Sequence, residues 1–64
     1  MIVVLRNPRR DVEVSGSRRV HALLAELGLS REAHLVICNG TLVPGDALLD
    51  ADAVVEIRPV VSGG

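Results

Sequence analysis

An α+β domain, with one helix packed on a mixed sheet in the order β-β-α-β-β-β, is what this sequence predicts. Three observations carry the prediction. The apolar run Met1 to Leu5 is followed, after a polar turn, by Asp11-Val12-Glu13-Val14-Ser15, whose strict alternation is the period of a strand with one wet face. Val20, Leu23, Leu24 and Leu27 then fall at i, i+3, i+4 and i+7, the stripe of a single amphipathic helix. Beyond it, short β-rich runs are punctuated by Asn39-Gly40, Pro44-Gly45-Asp46 and Asp50-Ala51-Asp52, each a turn signal.

Taken in order, the first two segments read as a hairpin joined through Arg6-Asn7-Pro8-Arg9-Arg10, too long for a tight two-residue turn. Ser15-Gly16-Ser17 breaks the second strand and offers Ser17 as an N-cap. The helix behind it spans about three turns, with Gly28 placed to take the left-handed position that ends it and Leu29 to fold back over the last turn. Arg18 and Arg19 fall in the first turn, where they oppose the helix dipole. Ser30 to Ala33 makes one short turn, and His34 to Cys38 is a strand that Asn39-Gly40 closes into a hairpin with Thr41-Leu42-Val43. Leu48 and Leu49 form a small apolar plug, read as a one-turn helix. Ala53 to Arg58 is the last strand, with Val55 and Ile57 on one face, ending at Arg58 or Pro59. No repeat or internal linker appears. The domain is placed at 1–58 and a C-terminal tail at 59–64.

The core must be hydrocarbon. Eleven valines, nine leucines and three isoleucines supply it, without a single Phe, Tyr or Trp. One cysteine permits neither an internal disulfide nor a thiolate metal cluster. Seven arginines against eight acids leave a net charge of −1, which implies neither a nucleic-acid partner nor an anionic membrane surface. The missing aromatics remove the stacking platforms that single-stranded nucleic acid needs. No apolar run is long enough for a membrane helix, and Arg6-Asn7 closes the first run too early for a signal peptide. A cytoplasmic location is expected. All basic residues are arginine, so this chain offers no lysine amine for acylation.

Pro59-Val60-Val61-Ser62-Gly63-Gly64 carries the functional signal. Six extended residues reach about 20 Å. Gly63 and Gly64 add no side chain, so a carboxylate at Gly64 sits on a narrow finger able to thread a tight tunnel and be activated there. A terminal Gly-Gly alone is weak evidence. Directly after the last strand of a small β-β-α-β-β-β domain it is much stronger.

On these features the chain resembles, over its whole length, the ubiquitin-like sulfur carriers, the β-grasp group that includes the thiamine and molybdopterin sulfur carriers. The stripe Val20/Leu23/Leu24/Leu27, the Asn39-Gly40 turn before a hydrophobic strand, the acidic turn Asp50-Ala51-Asp52 and the end Val60-Val61-Ser62-Gly63-Gly64 carry the resemblance. The family commonly has Asp-Gly-Asp where Ala51 stands here, a departure tolerated if the turn keeps φ negative. The resemblance implies a β-grasp (ubiquitin-like) fold. It further implies a carrier whose Gly64 carboxylate is adenylated by a ubiquitin-activating-type adenylyltransferase and converted by a persulfide donor to a thiocarboxylate. The partner supplies ATP and Mg²⁺, and this chain is expected to bind no cofactor or metal. It is a cosubstrate, not an enzyme.

Three branches of the family compete. A molybdopterin-type carrier is disfavoured because no Phe precedes the glycines. Thiamine carriers, which serve a thiazole synthase, often have a Trp and a longer segment between the Asn-Gly and acidic turns; Asn39 to Asp52 is compact and has none. The compact middle and the Val-Ser-Gly-Gly end most resemble carriers for tRNA 2-thiouridine formation, serving a tRNA thiolase, and the small archaeal modifiers that also become attached to protein lysines. A non-covalent β-grasp binding module remains the rival from another class.

Docking is expected on the sheet face that the helix leaves open, near the root of the tail. Arg58 is the charged candidate there, with Leu5, Val43, Val60 and Val61 as apolar contacts, although strand parity is not fixed by the sequence. Cys38 reads as structural filler, and His21 and His34 have no ligand-spaced neighbours for a metal. Asp46, Asp50 and Asp52 read as turn acids.

Overall fold

Residues 1–6 and 8–60 are described by the computed structural model. The apolar run and the alternating run form β1 (Ile2–Leu5) and β2 (Arg10–Glu13), an antiparallel pair in which Val3 faces Val12 and Leu5 faces Arg10. The Val14 N–H extends this ladder to Met1 O at 2.9 Å. The second hairpin joins β4 (His34–Cys38) to β5 (Thr41–Val43). Its turn holds Asn39 at φ 50 and Gly40 at φ 87. Two consecutive positive φ angles define a type I′ turn, whose twist matches that of the strands it joins. The last strand, β7 (Val54–Pro59), lies between β1 and β4, parallel to the first and antiparallel to the second. The five-stranded sheet therefore runs β2-β1-β7-β4-β5. With one helix across it, this is the β-grasp arrangement that the sequence predicts.

The region before the helix departs from expectation. Arg18–Arg19 form a two-residue strand, β3, and helix α1 covers only Val20–Glu26, about two turns rather than three. β3 pairs with Leu48–Leu49 (β6), so the expected one-turn helix at Leu48 and Leu49 is a strand instead. Pairing there places Leu49 wholly inside the core while Leu48 stays exposed. It also explains why Ser17 makes no cap. Residues at the start of a helix carry N–H groups without intrahelical partners. Here the Val20 N–H donates to Ala47 O at 3.0 Å and the His21 N–H to Gly45 O at 2.9 Å. Backbone carbonyls of the 45–47 segment do the work of a capping side chain.

The other end of α1 matches the sequence. Gly28 adopts φ 73, the Leu29 N–H donates to Leu24 O at 2.8 Å and the Gly28 N–H to Ala25 O at 3.1 Å. That pair of bonds is the Schellman motif, which turns the chain out of the helix at a residue without Cβ. A 3₁₀ turn, Arg31–Ala33, then delivers the chain to β4.

The helix stripe and one sheet face make the core. Met1, Val3, Val20, Leu23, Leu24, Val36, Leu49, Ala53, Val55 and Ile57 are buried. No polar side chain is buried among the described residues. Full burial of one such aliphatic side chain contributes about 1.5–3 kcal/mol, so a chain of this size depends on each of them. Turn Asp50–Ala53 closes with the Ala53 N–H on Asp50 O at 3.1 Å. Ala51 is absent from the residues of positive φ, so it fits this turn without strain.

Candidate functional site

The tail leaves the middle of the sheet. β7 is its carrier, hydrogen-bonded on both sides, and pairs through Pro59 opposite His34. Val60 is still tied down, its N–H donating to Ala33 O at 2.8 Å. Val61, Ser62, Gly63 and Gly64 lie outside the described residues.

Strand register sorts every side chain near the root. Val3, Val55, Ile57 and Val36 are buried and paired in register, Val3 with Val55 and Ile57 with Val36. Their partners Leu5, Cys38 and Val43 therefore point to the helix side as well. All three are half-buried and packed against the core. Leu5 and Val43, named from sequence as docking contacts, thus stand on the face opposite the open one. The open face presents Ile2, Val4, Leu35, Ile37, Leu42, Val54, Glu56 and Arg58. In one row Val4 lies beside Glu56, Glu56 beside Ile37, and Ile37 beside Leu42. Leu35 is 44% exposed and Leu42 60%, an unusual exposure for leucines on adjacent strands.

Glu56 was not singled out from sequence, yet it organises this face. Its Oε2 accepts from Arg58 Nε at 2.6 Å and from Arg6 Nε at 2.8 Å. The Arg58 hydrogen bond, then that of Arg6, holds its carboxyl below the usual glutamate range. Two guanidiniums on one carboxylate leave the cluster positive, beside the point where the tail departs. Alternation in β7 contained the signal, because Glu56 and Arg58 share a parity opposite to Val55 and Ile57.

Arg18, Arg19 and His34 make structural contacts. Arg18, instead of opposing a helix dipole, binds Glu26 at 2.9 Å and the carbonyls of Ser15 and Ser17, while Arg19 Nη1 reaches Asp46 O at 2.9 Å. His21 is exposed, and His34 Nδ1 donates to Ser30 O at 2.9 Å. Among the described residues no group of three or more His, Cys, Asp or Glu side chains is placed to hold a metal. No helix among them is long and apolar enough to cross a membrane.

Comparison with known proteins agrees with this architecture. The family model described as "Small archaeal modifier protein 2" matches residues 1–60. The "Sulfur carrier protein TtuB" of Thermus thermophilus is 35% identical over 65 residues, covering 100% of both chains. A match across this whole length, with the tail-bearing strand at the centre of a β-grasp sheet, establishes kinship. The chain belongs to the ubiquitin-like sulfur-carrier family of the small archaeal modifier and TtuB type, whose members are protein cosubstrates rather than enzymes.

Proposed function

We propose that this chain carries sulfur as a thiocarboxylate on Gly64 and delivers it for tRNA 2-thiouridine formation. The observation that carries the reading is the union of the Val60-Val61-Ser62-Gly63-Gly64 sequence with a β-grasp domain whose central strand ends beside it. The first step joins the Gly64 carboxylate to the α-phosphorus of ATP, releasing pyrophosphate. The resulting acyl adenylate is a good electrophile. A persulfide's terminal sulfur then attacks the carbonyl carbon and expels AMP, forming an acyl disulfide. A thiol on the partner attacks the sulfur distal to the acyl group, leaving the thiocarboxylate and a new disulfide. This chain's part is to present the carboxylate and to dock.

The partners fitting this reading are an ATP-dependent activating enzyme that holds the Mg²⁺, a persulfide donor and a sulfur-acceptor enzyme. The open face, with Leu35, Leu42 and the Glu56–Arg58–Arg6 cluster, is the surface offered to them, followed by Val60 and Val61. The compact segment between Asn39 and Asp52, without a Trp, favours tRNA thiolation over thiazole formation. Intact-mass spectrometry of the chain isolated from its own cells tests the first half. A replacement of oxygen by sulfur confined to Gly64 is expected. An unmodified carboxylate after incubation with ATP, Mg²⁺, a persulfide source and the cognate activating enzyme overturns it. Deleting the gene and assaying thiolated tRNA beside thiamine separates the two pathways.

A further inference from the structure

The helix is too short to roof its sheet. Seven residues of α-helix rise about 10 Å, whereas the six of β7 extend about 20 Å. The end of the sheet that the helix does not reach is the end from which the tail departs. There a groove of about 340 Å³ opens on the helix side, opposite to the open sheet face. Its floor is apolar, made by Leu5, Leu29, Ile57 and Pro59. Arg10 supplies a cation at its rim, with the imidazole of His34 across from it; Arg6 also borders the groove, but its guanidinium is turned to Glu56 on the open face.

The placement of Arg10 follows from register. Arg10 pairs with Leu5, and Leu5 pairs with Ile57, so all three project to the helix side in one row. Arg9 pairs with Asp11 at 3.6 Å, and Arg6 shares Glu56 with Arg58. Among the described residues Arg10 makes no ion pair and no carboxylate lines the groove. In a chain of net charge −1 this is a local positive site over hydrocarbon.

We propose that this groove is a second docking site, separate from the open sheet face, for an acidic protein segment that also inserts an aliphatic side chain. Leu5, Leu29 and Ile57 receive the side chain, and Arg10 receives the carboxylate. The apolar floor decides against RNA, since phosphates gain nothing from it and no aromatic ring is present for a base to stack on. A bare anion would likewise leave the floor exposed. Because Pro59 belongs to both the groove and β7, a segment seated there touches the root of the tail from the side the activating surface does not use. Two partners can then hold the carrier at once, on opposite faces of one strand. This inference does not rest on what Gly64 carries.

The test is an amide-resolved NMR titration of the full chain with a synthetic ten-residue peptide alternating leucine with pairs of aspartate. Saturable shifts are expected at Leu5, Arg10, Leu29, His34 and Ile57, without shifts at Ile2, Leu35 or Leu42. Arg10→Glu should weaken binding at least fivefold, Arg10→Gln by less, and 0.3 M salt should weaken it several-fold, since screening acts within a few ångströms at that strength. Four outcomes overturn the proposal: no saturable shift, shifts centred on the open face, indifference to Arg10→Glu, or equal binding of a peptide with serine for aspartate. Equal or tighter binding of oligouridylate or inorganic phosphate at the same amides reassigns the groove to RNA or to a simple anion. Arg10 is exposed, so both variants are expected to fold, and the unshifted signals of the core verify it within the same spectra.

Discussion

Asn39 and Val54 exchange two hydrogen bonds: the Asn39 N–H donates to Val54 O at 2.9 Å, and the Val54 N–H to Asn39 Oδ1 at 3.0 Å. The type I′ turn of the second hairpin is thereby fastened to the first residue of the tail-bearing strand. Asn39 does this at φ 50, a conformation that asparagine tolerates better than other residues with a side chain. Asn39→Ala loses the Oδ1 acceptor and strains the turn, and should cost about 1–3 kcal/mol. Asn39→Gly removes only the acceptor and should cost less. Urea unfolding of both variants measures the difference, and equal costs would sink the account.

Leu48 and Leu49 are neighbours with opposite fates. Leu49 is wholly buried, so Leu49→Ala should destabilise by about 2–5 kcal/mol and bring a domain this small close to unfolding at room temperature. Leu48 is 56% exposed, and Leu48→Ala should stay within about 0.5 kcal/mol of the parent. Thermal melting separates the two-residue strand found here from a one-turn helix, in which the pair would be more nearly equivalent.

Glu56 gives the fold an acid-sensitive contact. Its carboxyl titrates lower when folded than when unfolded, because Arg58 and Arg6 bind the ionised form. Between the two pKa values the unfolded chain binds more protons, so stability falls as pH falls. The contribution is complete above the ordinary glutamate range and lost as pH drops through the depressed folded value. Melting temperatures of parent and Glu56→Gln should therefore differ most near neutrality and converge in acid. A gap that widened in acid would contradict the ion-pair geometry.

The open face should act in docking rather than folding. Leu35→Asp and Leu42→Asp remove exposed leucines and are expected to leave melting nearly unchanged. Each should weaken binding to the cognate activating enzyme at least tenfold by calorimetry. Unchanged affinity would move the docking surface elsewhere.

Removing Gly63 and Gly64 should leave the fold intact, because the core of the described residues ends at Ile57 and the last strand at Pro59, and abolish ATP-dependent activation. Pyrophosphate release in a reconstituted system reads this directly. Activation of the shortened chain would refute the assignment to Gly64.

Much of this was legible in the residues themselves. The stripe Val20/Leu23/Leu24/Leu27, the stop at Gly28 and the Asn39-Gly40 turn are local signals, and each depends on chemistry within a few positions. What was hidden depends on contacts across the chain. Arg18 and Arg19 are extended because Leu48 and Leu49, far along the sequence, pair with them. Leu5 and Val43 resisted assignment because continuous apolar runs have no intrinsic parity; only pairing with Ile57 and Val36 fixes their side. Glu56 shows the same limit, since its partner Arg6 is fifty positions away.

The central position of β7 has a mechanical consequence. An enzyme that grips the tail and draws it taut pulls along the axis of this strand. β1 lies parallel on one flank and β4 antiparallel on the other. The load is therefore spread in shear over two ladders, whose hydrogen bonds must yield together, where an edge strand pulled the same way would have one. Leverage applied at the end of the chain is resisted by the whole sheet, and the domain can be handled by its tail without coming undone.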